Sequence, residues 1–260
     1  MKDQIVPTEN LRGFAGVAEA LIAKSERLDR LGLIFGKWGL GKSTSLQWYY
    51  SNHPCFYARA LAAWQRSPNM MVEDLLSTYR VEARGRLKLD VRELVRVVKK
   101  RGDPLILDEA DYVIRRAILI ETIRDVADLA HVPVILIAGE DAMNLLGRHD
   151  LAHVLSRITA KYEFKELSVR DIQRAAQELC GLAVDEKVGS FIRKVCLGDF
   201  RLLNAFLLRA EELCFFNQTS EITASIAKTA AESATGQAER AGKPETAWAE
   251  PQREALAAAG

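Results

Sequence analysis

Cysteine is scarce in this chain, and the little there is cannot build a cross-linked or metal-bound framework. Cys55, Cys180, Cys196 and Cys214 include no C-x-x-C pair, and His53, His131, His149 and His153 complete no metal-ligand spacing. That excludes a zinc ribbon and a thioredoxin-type redox pair, and leaves buried free thiols in a reducing compartment as the expectation. Also lacking is any uninterrupted apolar run near the roughly twenty residues that cross a bilayer, and Met1-Lys2-Asp3-Gln4 leads into no signal-peptide core. A cytoplasmic protein with no membrane partner is expected. Neither sign of charge dominates: the formal net charge of +1 names no partner, so any nucleic-acid surface must be a local patch. What remains is an ordinary globular composition, and 260 residues suffice for a sizeable core in one or two domains.

The most informative segment is Gly36-Lys37-Trp38-Gly39-Leu40-Gly41-Lys42-Ser43, followed by Thr44. It reads G-x-x-x-x-G-K-[ST] after the apolar run Leu31-Gly32-Leu33-Ile34-Phe35 and before a helix-compatible stretch, the context that a P-loop requires. Glycines permit backbone angles that a Cβ disfavours, so successive N–H groups can turn inward and cradle phosphate oxygens at a helix N-terminus. Lys42 then reaches the β and γ phosphates and the Ser43 hydroxyl holds Mg²⁺, which makes ATP and Mg²⁺ the expected cofactors. Downstream, Leu105-Ile106-Leu107-Asp108-Glu109 has the form of a Walker B element. A buried strand delivers Asp108 to the site, where it holds Mg²⁺ directly or through water, and Glu109 polarises the attacking water.

Apolar periodicity organises the rest. Residues 11–29 read as a helix ahead of the first strand, with Leu11, Phe14, Val17, Ala18, Leu21 and Ile22 on one face. Further helices are expected after the P-loop and over 71–81, 91–101 and 117–130, with strands at 31–35, 55–60, 104–107, 132–137 and, last, 162–167. Strands alternating with helices imply right-handed crossovers and a mainly parallel sheet covered on both faces. This gives an N-terminal segment and helix over 1–30 and an α/β nucleotide-binding domain over 31–168. Helices at 169–180, 185–196 and 200–216 form a small all-helical lid over 169–223. From 224 to 260 the chain turns to Ala, Glu, Thr, Gly and Gln with Pro244 and Pro251, and reads as a disordered tail that contains the isolated Trp248.

The P-loop, Asp108-Glu109-Ala110-Asp111, the strand ending at Ala138, Ser156-Arg157-Ile158 and Gly198-Asp199-Phe200-Arg201 together resemble an AAA+ ATPase over residues 8–215. The resemblance implies a three-layer P-loop NTPase core, a helical lid and ATP hydrolysis. Within AAA+ proteins, Asn10-Leu11-Arg12, the P-loop and Val132-Pro133-Val134-Ile135-Leu136-Ile137-Ala138-Gly139-Glu140 resemble the phage Mu B and TnsC type of target-selection ATPase in DNA transposition. On that resemblance Arg157 is an arginine finger that one subunit inserts into its neighbour's site, a charge worth on the order of 10³–10⁵ in rate. Arg148 is the alternative finger, and Arg201 is a lid residue reaching back to the γ-phosphate. One strand departs from the family: Ala138-Gly139 stands where a small polar side chain is usual, and Glu140 is the nearest substitute. The departure implies slow hydrolysis that a partner stimulates.

Basic residues concentrate between 84 and 101, where Arg84, Arg86, Lys88, Arg92, Arg96, Lys99, Lys100 and Arg101 meet only Asp90 and Glu93. On a helix, Arg92, Arg96, Lys99 and Lys100 share a face opposite Val91, Leu94, Val95 and Val98. Arg115 and Arg116 form a second basic patch. Each phosphate neutralised by such residues releases counterions, so the stripe suits double-stranded DNA. A single module binds non-specific DNA at only roughly 10⁻⁴–10⁻⁶ M, so many subunits are needed on one duplex. The resemblance accordingly implies a homo-oligomer, a ring or helical filament formed with ATP, that delivers DNA to a transposase. The alternatives are a helicase loader or another replication or secretion helper, a P-loop kinase of a small metabolite, and a nucleotide-dependent signalling switch.

Overall fold

Five short strands, β1 (Leu31–Phe35), β2 (Phe56–Arg59), β3 (Leu105–Asp108), β4 (Val134–Ala138) and β5 (Ile158–Glu163), pair in parallel in the order β2-β3-β4-β1-β5. Every residue of β3 and β4 is buried, as the central strands of a sheet covered on both faces should be. The computed structural model describes residues 1–25 and 28–240. It divides the chain into an α/β unit, Leu11–Lys37 with Lys42–Phe164, and a helical unit of Met1–Asn10, Trp38–Gly41 and the chain from Lys165 onward.

Around the sheet lie α1 (Glu9–Ile22), α2 (Lys42–Asn52), α3 (Pro68–Thr78), α4 (Leu87–Arg101), α5 (Asp111–Ile114), α6 (Ala117–Ala130), α7 (Ala142–Leu146) and α8 (Ala152–Leu155). Their boundaries follow local chemistry. Pro68 occupies the first turn of α3, where its missing N–H costs nothing, and Gly102 closes α4 in the left-handed conformation at φ 74°. Leu75, Leu76, Leu94, Val98, Ile120 and Ile123 pack with the sheet into one fully buried core.

The helical unit contains α9 (Val169–Ala175), extended by a π-type turn at Ala176–Cys180, α10 (Glu186–Val195), α11 (Phe200–Phe216) and α12 (Ala224–Arg240). Ser168 and Asp171 form a reciprocal capping box at the start of α9, and Asp185 and Asp199 cap α10 and α11. A second core joins Ile172, Ile192, Leu203, Phe206 and Leu207.

The expected α/β class with a helical appendage is what the structure contains, with several corrections. The last strand spans Ile158–Glu163 rather than 162–167, because its alternating burial follows Ile158, Ala160 and Tyr162. Helix α1 ends at Ile22, short of 29, with residues 26–27 outside the described region. The expected tail from 224 begins instead as α12, which buries Ile226, Ala227, Ala230 and Ala231 in the second core. An alanine-rich helix can pack closely with small side chains, a signal that low-complexity composition hides. Trp248 and the rest of 241–260 lie outside the described residues. The segment Met1–Asn10, which includes the first two residues of α1, groups with the helical unit, and α1 from Leu11 onward with the α/β unit.

Candidate nucleotide site

Because the sheet is parallel, the C-terminal ends of its strands share one edge, the position at which open α/β sheets bind ligands. The P-loop follows β1 there, Asp108 and Glu109 end β3, Gly139 and Glu140 follow β4, and Arg59 ends β2. Backbone angles in the loop carry the shape expected of it. Gly36, Gly39 and Gly41 have φ values of 146°, 84° and 90°, and a side chain at Gly39 would also collide with the Asp199 carboxylate, 1.6 Å from its Cβ position. Phe200 N–H donates to the Gly39 carbonyl at 3.0 Å.

Lys42 opens α2, and its ammonium folds back over the loop to donate to the carbonyls of Gly36 at 2.5 Å and Lys37 at 2.8 Å. Ser43 and Thr44 are exposed on the first turn of α2, and Trp38 stands out from the loop at 71% exposure. Asp108 is buried at 8% exposure. Burial pushes its carboxyl above the ordinary range, opposed by the Glu109 amide and by the charges of Arg59 and Lys42. Its Oδ1 accepts the Glu109 N–H at 2.9 Å.

Glu109 is half-buried and lies at φ 54°, a left-handed backbone that costs a non-glycine residue of order 1–3 kcal/mol and persists only where its surroundings impose it. Its Oε1 meets Arg59 Nη2 at 3.3 Å. Ala110 N–H donates to the Ile137 carbonyl at 2.8 Å, and the Asp111 carboxylate accepts the Gly139 N–H at 2.7 Å. Glu140, the sequence-level substitute at the end of β4, is exposed.

This donor set fits Mg²⁺ with a nucleotide. A hydroxyl and a buried carboxylate are hard oxygen ligands, and the lysine ammonium lies over a glycine-shaped backbone cradle. Among the described residues no group of His, Cys, Asp and Glu forms a separate metal cluster. Burial pushes the Cys196 thiol up to about 12 and those of Cys55 and Cys180 to about 11, so these thiols stay protonated. Cys55 and Cys180 are half-buried rather than buried as expected. No described helix is long and apolar enough to cross a membrane.

The remaining candidate residues stand apart. Arg157 precedes β5 and therefore lies at the opposite edge of the sheet, where Nη1 pairs with Asp29 Oδ1 at 2.7 Å. Arg148 pairs with Asp150 at 3.1 Å. Arg201 is exposed on the first turn of α11, where its amide donates to the capping Asp199. Helix α4 ends three residues before β3 starts, so Lys99 and Lys100 lie at the N-terminal edge of the sheet, whereas Arg115 and Arg116 follow its C-terminal edge. The two expected basic patches are thus at opposite ends. Arg96 is bound by Glu93 on the same helix, and Arg116 donates to the Gln65 carbonyl; Arg92 and Arg115 are exposed.

Two contributors escaped the sequence pattern. Arg59 lies fifty residues from Glu109, and only the β2–β3 pairing brings them together. The buried Asn10 amide donates to the carbonyls of Leu40 at 3.3 Å and Lys165 at 2.7 Å and accepts the Lys165 N–H at 3.0 Å, tying the P-loop to the exit from the sheet.

Fold and site define a P-loop ATPase. The AAA domain family model matches residues 25–146, which carry the P-loop and Walker B elements, and the match supports ATP hydrolysis with ATP and Mg²⁺ as the cofactors. Among solved structures, the Aeropyrum pernix ORC2 protein in its ADPNP-ADP complexes aligns over 89% of this chain and 70% of its own at 17% identity, with a TM-score of 0.61. Cdc6p from Pyrobaculum aerophilum aligns over 91% and 69% at 14% identity, TM-score 0.61, and Aeropyrum pernix ORC1 in complex with DNA over 92% and 69% at 15% identity, TM-score 0.55. At these identities the likeness is one of fold. No curated protein sequence matches the chain.

Proposed function

We propose that this ATPase binds double-stranded DNA largely without sequence preference, assembles on it as a helical filament or ring, and delivers target DNA to a transposase. The observation that carries the reading is the separation of Arg157 from its own site. Lys42, Asp108 and Glu109 gather at one edge of the sheet, and Arg157 stands at the other, about 20 Å away along a six-residue strand. A cation there is out of reach of its own site, so on this reading it serves a neighbour's, and assembly becomes a condition of hydrolysis. Bound Mg²⁺ supplies the Lewis acidity that offsets charge on the transferred phosphoryl group. Lys42 would hold the β and γ phosphates, Ser43 and Asp108 the metal, and Glu109 would orient the attacking water, with Arg201 assigned by resemblance as a further cation for the γ-phosphate.

Arg92, Lys99, Lys100 and Arg115 then give each protomer only a few phosphate contacts, whose sum along a filament supplies the affinity. The test is electron microscopy of the protein with duplex DNA and ATP, ADP or no nucleotide. Long nucleoprotein filaments formed only with ATP support the reading, and their absence refutes it. A second reading, a helper ATPase of a replication machine in the cytoplasm, draws support from the fold likeness to ORC1 in complex with DNA and to Cdc6p. It requires discrete complexes whose size does not grow with DNA length.

A further inference from the structure

Glu109 holds its left-handed backbone in a turn that leaves β3 and enters α5, and three hydrogen bonds fix that turn. Two are local or purely backbone: Glu109 N–H to Asp108 Oδ1 at 2.9 Å and Ala110 N–H to the Ile137 carbonyl at 2.8 Å. The third is made by a side chain. Asp111 Oδ2 accepts the Gly139 N–H at 2.7 Å, joining the first residue of α5 to the first residue after β4. Gly139 is not in the left-handed region, so its lack of a side chain answers a question of space. A Cβ there would stand 3.2 Å from Asp111 Oδ1, against the carboxylate that makes the bond. Nothing on β4 itself offers a polar side chain to this corner: Ala138 is apolar and buried, and Glu140 points into solvent.

We propose that Asp111 is a positioning residue for ATP hydrolysis: by clamping the Gly139 amide, its carboxylate locks the β3–α5 turn and keeps Glu109 in the backbone conformation from which it acts. The inference rests on the reading of Glu109 as the water-orienting carboxylate. Asp111 acts through Glu109, so its loss slows the chemical step while leaving nucleotide affinity in place. The clamp needs an acceptor oxygen and not a charge, so asparagine preserves it.

Single-turnover hydrolysis of radiolabelled ATP, with nucleotide affinity by calorimetry and melting temperature measured alongside, tests this in the full chain. Asp111→Ala should lower the hydrolysis rate at least tenfold with the ADP dissociation constant within twofold of the parent, and Asp111→Asn should restore most of the rate. Should Asp111→Ala fail to fold, Gly139→Ala, which crowds the carboxylate, is expected to lower the rate in the same way. In a Glu109→Gln background, Asp111→Ala should cause no further loss. A parental rate in Asp111→Ala, an Asp111→Asn variant as slow as the alanine form, or a further loss in the Glu109→Gln background overturns the proposal. If Glu109→Gln itself hydrolyses ATP at the parental rate, the reading of Glu109 fails instead.

Discussion

Arg157 Nη1 lies 2.7 Å from Asp29 Oδ1 in the same protomer, and both side chains keep a large share of their surface in water. An exposed pair of this kind contributes little to stability and weakens with salt, so Arg157 can exchange Asp29 for a better anion. On the proposed arginine-finger reading, the pair competes with engagement of a neighbour's nucleotide. Arg157→Ala should still bind nucleotide but lose filament growth and hydrolysis, and Asp29→Asn should assemble at lower protein concentration than the parent. Light scattering with ATP and DNA measures both. Normal filaments from Arg157→Ala would remove this residue from the mechanism.

Removing Lys42 strikes the cradle directly. Lys42→Ala should weaken ATP binding by about 1.5–3 kcal/mol, the worth of a hydrogen bond to a charged group, with the melting temperature of the nucleotide-free protein nearly unchanged. Calorimetric titration with Mg²⁺ and ATP decides the point.

Asp108 should trade stability for metal binding. Burial raises its folded-state pKa, so the ionised form costs stability; the cost is absent in acid, below the unfolded value, and grows as pH rises through the folded value. Asp108→Asn should thus raise the melting temperature of the nucleotide-free protein at neutral pH, an advantage that fades in acid. The same variant should lose the extra stabilisation given by Mg²⁺ with ATP.

Basic residues can be sorted by salt dependence. For each phosphate contact removed, the slope of log affinity against log salt should fall by about 0.9. Arg115→Ala and Lys99→Ala, at opposite edges of the sheet, should each lower it, and Arg96→Ala should change it least, because Glu93 already holds that guanidinium at 2.5 Å. Fluorescence anisotropy on duplex DNA across a salt series provides the slopes.

Helix α12 makes a separate stability prediction. Ile226 is 7% exposed within the second core, so Ile226→Ala should cost about 2–5 kcal/mol and expose the helical unit to protease. A variant as stable as the parent would mean that α12 does not pack there.

Much of the site is legible in the amino-acid order because its chemistry is local. A P-loop is a contiguous stretch whose glycine spacing sets the backbone, and Walker B is a short apolar strand ending in two acids; in both, neighbours in sequence are neighbours in space. Helix and strand limits are less legible, since α4 begins at Leu87, where the Asp90 carboxylate accepts the N–H groups of Arg84 and Arg86, and β5 begins at Ile158, where its alternating burial starts. Composition misleads at 224, because small residues that are poor markers of a core are good packing surfaces for a helix.

By itself the sequence determined the glycine-spaced loop after β1, the acid pair at the end of β3, and the alternation that forces a parallel sheet, each of which depends on spacing along the chain. Only the tertiary structure decided that Arg59 meets Glu109, that Asp111 clamps Gly139, that Asn10 bonds Leu40 of the P-loop, and that Arg157 lies at the end of the sheet opposite the P-loop. These are contacts between residues far apart in sequence, set by the order and parallel direction of the strands and by the chain's return past the P-loop, and such long-range relations are not encoded by any local pattern.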